Sequence, residues 1–238
     1  MFYVGCSGWQ YEHWSELFYP REIPKKLWLE YYAKHFNTVE INSTFYHWPS
    51  EKTIASWHNR TPIGFKISLK VPRLITHRKR FNNTDDDISQ FYQLASKLEE
   101  KLGCVLFQLP PSMKFDEEKL KHILRQMDNK FKNVIEFRHS SWFNEKTYSS
   151  LSKRNIAFCN VSAPKLPESF RTTASFAYIR FHGRTRWYDY HYSDEELKAW
   201  AKKIKYFNGD VYVYFNNDAY AHATSNAKKF SELLGVMK

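Results

Sequence analysis

Two periods of apolar residues take turns along the chain. Short runs rich in Val, Ile, Phe and Tyr, with apolar and polar positions often alternating, occur at FYVGCS (2–7), TVEIN (38–42), FKISLK (65–70), CVLFQL (104–109), VIEFR (134–138), IAFCN (156–160), FAYIRFH (176–182) and DVYVYFN (210–216). Alternation with a period of two is the mark of a strand. Between these runs lie longer stretches whose apolar positions recur every three to four residues: 24–36, 50–60, 84–102, 116–127, 144–154, 193–207 and 224–234. That spacing predicts helices with one buried face. Helix starts carry their own signals in Thr84, Asp116 and Ser193, each followed by an acidic turn, and in Pro24, which suits a first helical position.

Strand and helix alternate from end to end, with no helix pattern after 156–160. Eight strands in one uninterrupted domain over residues 1–238 predict a single TIM-type (β/α)8 barrel with an irregular sixth βα unit. An open doubly wound sheet is the alternative.

Strand parity then divides the side chains. One parity gives Val4, Val39, Ile41, Ile67, Leu69, Val105, Phe107, Ile135, Phe137, Ile179, Phe181, Val213 and Phe215, all apolar and expected to pack against helices. The other, read at the C-terminal end of each strand in turn, gives Ser7, Asn42, Lys70, Gln108, Arg138, Asn160, His182 and Asn216. One layer deeper it gives Glu40, Ser68, Glu136 and Arg180, with Tyr212 and Tyr214 in the last strand. Charge inside a parallel sheet is costly unless it lines a site, and barrels of this kind carry their chemistry at the C-terminal mouth. A self-satisfied network, with Glu136 paired to Arg138 or Arg180, would account for the same pattern.

The loops add donors. Gly183, Arg184 and Arg186 follow strand seven, Asn217 follows strand eight, and His77, Arg78, Lys79 and Arg80 follow strand three; the loops after strands seven and eight often hold phosphate. The formal charge of +11 and the isoelectric point near 9.4 favour acidic partners, although a solvated basic surface would explain them as well. Cys6, Cys104 and Cys159 are odd in number and far apart, which argues for buried thiols in a reducing compartment and against a disulfide framework. No run approaches the length of a transmembrane helix, so a soluble cytoplasmic protein without a membrane partner is expected.

GCSGWQYEHW with FYP (18–20), VEINSTFYHWP (39–49), ITH (75–77), LFQLPPS (106–112), EFRHSSWF (136–143), YIRFHGR (178–184), and YFNND (214–218) with ATSNA (223–227) resemble the signature of the YecE-like family, catalogued as domain of unknown function 72. The resemblance spans nearly the whole chain and implies a TIM barrel, with no established activity. The family barrel is similar in broad shape to isomerase and endonuclease barrels that hold divalent metals. The corresponding hard ligands here would be Glu40, Glu136 and His182, joined by His77 or Asp218. Arginines beside them disfavour a dication, so no cofactor and no metal ligand set is predicted, with a divalent metal as the less favoured alternative.

The expected function is an enzyme acting on a polar, phosphorylated or sugar-like small molecule at the mouth. Glu136 or Glu40 is the candidate general acid/base and His182 its partner. Ser7, Asn42, Lys70, His77, Gln108, Arg138, Asn160, Arg180, Gly183, Arg184, Asn216 and Asn217 are the candidate ligand contacts. The alternative is a nucleic-acid-binding or nuclease-like barrel gripping phosphates with its basic loops, while Trp9, Tyr11, Trp14, Trp48, Trp142 and Trp187 include candidates for stacking. A third possibility is a non-catalytic sensor using the same pocket.

Overall fold

The computed structural model describes residues 1–236. Among them, eight strands fall where the period of two places them: β1 (Phe2–Cys6), β2 (Thr38–Ile41), β3 (Lys66–Lys70), β4 (Leu102–Gln108), β5 (Asn133–Glu136), β6 (Ala157–Ser162), β7 (Phe176–Phe181) and β8 (Asp210–Phe215). They pair in parallel in the order β1-β8-β7-β6-β5-β4-β3-β2, and α-helices cover the outside as in a (β/α)8 barrel. The helices are α1 (Trp28–His35), α2 (Ser43–Tyr46), α3 (Glu51–Asn59), α4 (Asp85–Ser96), α5 (Glu117–Arg125), α6 (Glu145–Ser152), α7 (Asp194–Ile204) and α8 (His222–Leu234). None is long and apolar enough to cross a membrane.

Local chemistry sets several boundaries. Asp116 Oδ1 accepts from Lys119 N at 2.7 Å. Ser193 and Glu196 form a reciprocal capping box at the start of α7. Thr84 departs from expectation: its hydroxyl donates to Gln126 Oε1 at 2.6 Å instead of capping α4. Pro24 leads into a 3-10 turn (Lys25–Leu27) one step before α1.

The parity reading holds for seven strands. The apolar set from Val4 to Phe215 lies in one buried core shared with the helices. The barrel interior is a second core, with Tyr3, Cys104, Leu106, Val134, Cys159, Val161, Tyr178, Tyr212 and Tyr214. Strand six is the exception. Cys159 and Val161 face inward beside Tyr178 and Arg180 of β7, so Asn160 points out of the barrel and is not a mouth residue. Its side chain instead pins the helix-free segment 163–175, accepting from Arg171 N at 2.6 Å and donating to Arg171 O at 3.0 Å. Thr173 adds a second pin, accepting from Phe158 N at 2.7 Å. The irregular sixth unit is thus a loop held where a helix would otherwise lie.

Between β1 and β2 the barrel closes without a continuous ladder. Ser7 and Glu40 form one isolated bridge. Below it, side chains take over: Asn37 Oδ1 accepts from Val4 N at 2.8 Å, and Tyr32 OH accepts from Cys6 N at 2.6 Å while donating to Thr38 O at 3.0 Å. The strands approach so closely that a Cβ on Gly5 would lie 2.1 Å from Thr38 O, which requires glycine. Tyr32→Phe leaves the Cys6 amide buried without an acceptor, and an unsatisfied group of this kind costs about 1–3 kcal/mol. The expected result is a lower urea midpoint at unchanged m-value; a wild-type midpoint would show that the stitch adds nothing.

Candidate active site at the barrel mouth

Arg180 stands at the centre of the polar end of the barrel. It projects from β7 between two buried carboxylates, with Nη2 2.6 Å from Glu40 Oε1 and Nη1 2.5 Å from Glu136 Oε2. Ser7 Oγ and Tyr178 OH each donate to Glu40 at 2.6 Å. Arg138 Nε donates to Glu136 Oε1, which His182 Nε2 also approaches at 3.1 Å. On the other side of the ring, Asn216 Nδ2 lies 3.1 Å from His182 Nδ1. With its proton on Nε2 the ring donates to Glu136 and accepts from the amide at Nδ1; Arg138 Nη2 and Arg180 Nη1 also approach Nε2, at 3.3 and 3.5 Å, and would require it to accept.

Two carboxylates therefore face two guanidiniums, and the balance is reflected in the proton affinity of Glu136. Burial alone would raise the Glu136 pKa, but Arg138 and Arg180 reverse this and hold it well below the usual carboxylate range. Burial, reinforced by Arg138, drives His182 well below its ordinary value, so the imidazole is neutral at pH 7. Glu40, Glu136, Arg180 and His182 have no solvent-accessible surface.

Lys70, at the end of β3, is different. Its Nζ sits 4.0 Å above the Phe45 ring, and among the described residues it forms no ion pair and no hydrogen bond. Burial, with Arg180 next in weight, lowers its pKa to about 7. His77 meets the same Phe45 ring edge-on at 4.9 Å. Burial and the positive charge of Lys70 and Arg73 lower the His77 pKa to about 4.

Lys70, Gln108, Arg138 and Asn216 form the skin of the site, retaining 7–9% of their accessibility. Trp187 covers part of it, 4.5 Å over the Arg138 guanidinium and 5.4 Å from the His182 ring. Its loop leaves β7 through Gly183, whose φ of +104° and clearance of 2.1 Å between a built Cβ and Arg186 O exclude a side chain. A cleft of about 240 Å³ opens between the loops after β1 and β2, lined by Trp9, Tyr11, Asn42 and Tyr46 among others. Asn42 Oδ1 is buried there without a hydrogen-bond partner.

Ser7, Glu40, Asn42, Lys70, Gln108, Glu136, Arg138, Arg180, His182 and Asn216 thus gather at one end, with His77 beside Phe45. Four other expected contacts do not join them. Asn160 faces outward, as described. Arg184 turns to the rim, 3.0 Å from Glu196 Oε1. The Gly183 amide is taken by Tyr192 OH at 2.9 Å. Asn217 is fully buried and donates to Tyr190 O and Asn226 Oδ1 at 2.7 and 2.8 Å, tying two loops together. Tyr178 and Phe45 are the additions. Tyr178 shares the inward parity of Arg180 and could have been read from it, whereas Phe45 lies on α2, outside any strand pattern. Trp9, Trp14 and Trp142 are buried packing residues, while Trp187 is 37% exposed.

The donor set at the mouth does not fit a divalent cation, because Arg180 already bridges both carboxylates. Among the described residues, His58, Glu99 and Glu100 alone bring three metal-type ligands within reach of one another. They lie on the surface, beside the turn preceding β4 and away from the mouth.

The polar groups thus collect toward the C-terminal ends of the strands of a parallel (β/α)8 barrel. The chain belongs to the family described as "Protein of unknown function DUF72", whose family model matches residues 3–238. UPF0759 protein YunF of Bacillus subtilis is 28% identical, over 99% of this chain and 95% of YunF. YecE of Escherichia coli K12 is 31% identical over 60% of this chain, a match that spans half of YecE. Among solved structures, a DUF72 family protein of Thermotoga maritima is 34% identical with a TM-score of 0.88 over 99% of both chains. D-psicose 3-epimerase of Clostridium cellulolyticum, solved with D-tagatose, is 11% identical with a TM-score of 0.57 over 99% of both chains, a likeness of fold alone.

Proposed function

We propose that the protein is an enzyme acting on a small, anionic, polyhydroxylated molecule held at the barrel mouth. The observation that carries this reading is Lys70, a nearly buried amine with no acceptor, placed among groups whose own charges are already matched. A lysine kept near neutrality can accept a proton at physiological pH. Glu40 and Glu136, by contrast, are engaged by guanidiniums and fix Arg180 in place. His182 orients the same network. Arg138 offers a charged fork to the anionic group, and the amides of Asn42, Gln108 and Asn216 suit hydroxyls.

Calorimetry with inorganic phosphate and sugar phosphates tests the reading. Arg138→Lys keeps a positive charge beside Glu136 but removes the fork; the loss of one charge-assisted hydrogen bond, about 1.5–3 kcal/mol, weakens binding by tenfold or more. Equal affinities in the two proteins would remove Arg138 from the site. Short oligonucleotides supply the contrast: binding to them alone, falling steeply with salt, would replace this reading by the nucleic-acid one.

A further inference from the structure

We infer that Lys70 acts covalently, its Nζ forming a Schiff base with a carbonyl carbon of the ligand, so that the substrate class is a hydroxylated aldehyde or ketone bearing an anionic group. The inference rests on the small-molecule reading of the mouth and adds to it the bond that is made.

The other buried lysine shows what a structural role looks like. Lys101, 5% accessible, donates to His58 O at 2.6 Å and to Thr61 O at 2.5 Å. Lys132, half-buried at the other end of the barrel, pairs with Asp210 at 2.7 Å. Lys70 is 8% accessible and makes neither kind of contact, although Glu40 and Glu136 are close enough to influence its charge. Arg180 occupies both carboxylates, so Lys70 is not needed as their counter-ion. The contact that Nζ does make is with the face of Phe45, 4.0 Å away, which accepts no conventional hydrogen bond. Desolvation and neighbouring cations are the two devices that activate lysine nucleophiles, and both operate here: burial comes first and Arg180 and Arg138 add to it, against the opposing carboxylates. His77 packs edge-on against the same Phe45 ring and is held neutral by burial and by the charges of Lys70 and Arg73.

The step balances without a redox partner. The nitrogen lone pair attacks the carbonyl carbon, the carbonyl electron pair moves to oxygen, and oxygen gains a proton to give a carbinolamine. That proton is one of the two amine hydrogens; the hydroxyl then leaves with the second as water, and a C=N bond replaces C=O. Protonated, this imine draws electrons from a bond on the adjacent carbon.

Wild-type protein is incubated with dihydroxyacetone phosphate or D-glyceraldehyde 3-phosphate, reduced with borohydride and digested for mass spectrometry. The expected result is a borohydride-dependent mass addition concentrated at least tenfold on the Lys70 peptide, suppressed by excess inorganic phosphate and absent from Lys70→Arg. Because trapping is read on the wild type, it does not depend on how well the variant folds. Label scattered over surface lysines, with Lys70 unmodified and phosphate still bound in the calorimeter, overturns the covalent step and leaves the small-molecule site standing. Absence of both labelling and phosphate binding overturns both.

Discussion

Glu136→Gln is expected to lower the melting temperature at neutral pH by roughly 6–20 °C. Removing one partner of a buried ion pair costs about 3–5 kcal/mol, because the charge left behind is uncompensated. For a chain of this size each kcal/mol is worth roughly 2–4 °C. Here two guanidiniums, Arg138 and Arg180, lose a shared carboxylate, and Glu40 alone remains. Since the folded pKa of Glu136 is depressed well below the ordinary carboxylate value, its stabilisation is fully present above that ordinary value. It is lost only as pH falls through the folded value, so the two proteins should differ steadily from pH 5 to 8 and converge in strong acid. Near-native melting of Glu136→Gln, accompanied by loss of turnover, would return Glu136 to the role of acid/base catalyst.

Lys70→Met should do the opposite. The ordinary lysine value of 10.5 falls to about 7 in the fold, burial being the first cause. The unfolded chain therefore binds the proton more tightly, and the group opposes folding below pH 7, a penalty relieved as pH climbs from 7 to 10.5. At about 1.4 kcal/mol per pH unit the penalty is on the order of 5 kcal/mol at most. Methionine has no such penalty and fits the apolar face of Phe45. The variant is expected to melt roughly 10 °C or more above wild type at pH 6, with the gap closing toward pH 10, and to lose carbonyl trapping. A variant that melts below wild type at pH 6 would mean that Lys70 is charged and paired in the fold.

These opposed effects within one polar cluster bear on what the sequence could reveal. The strands were legible because β-branched and aromatic residues repeat with a period of two, and the mouth was legible because polar residues end so many runs. The same rule fails at IAFCN, where both parities are largely apolar and the run ends on Asn160, a polar residue that faces away from the mouth. What decides its direction is the pairing of Cys159 and Val161 with Tyr178 and Arg180. Arg184 was placed correctly after strand seven, but its destination depends on the course of the loop toward Glu196, which no local pattern encodes. Lys70 was visible as a mouth residue; its isolation was not. That isolation depends on Arg180 reaching two carboxylates on strands distant in sequence, a many-body outcome that pairwise spacing does not contain.

The side-chain closure between β1 and β2 also has a consequence for the order in which the molecule is built. Among the described residues, β1 obtains its only continuous ladder from β8, the strand farthest from it in sequence. Its other edge is held by Tyr32 and Asn37, from α1 and the turn after it. A strand translated early must therefore wait for one translated late, with a helix as its temporary companion. The contact that completes the cylinder is also the one of greatest sequence separation, so it carries a large loop-closure cost and comes with other long-range contacts already in place. Until then the groups of β1 that pair with β8 form an open edge along FYVGC, the kind of edge on which mispairing starts.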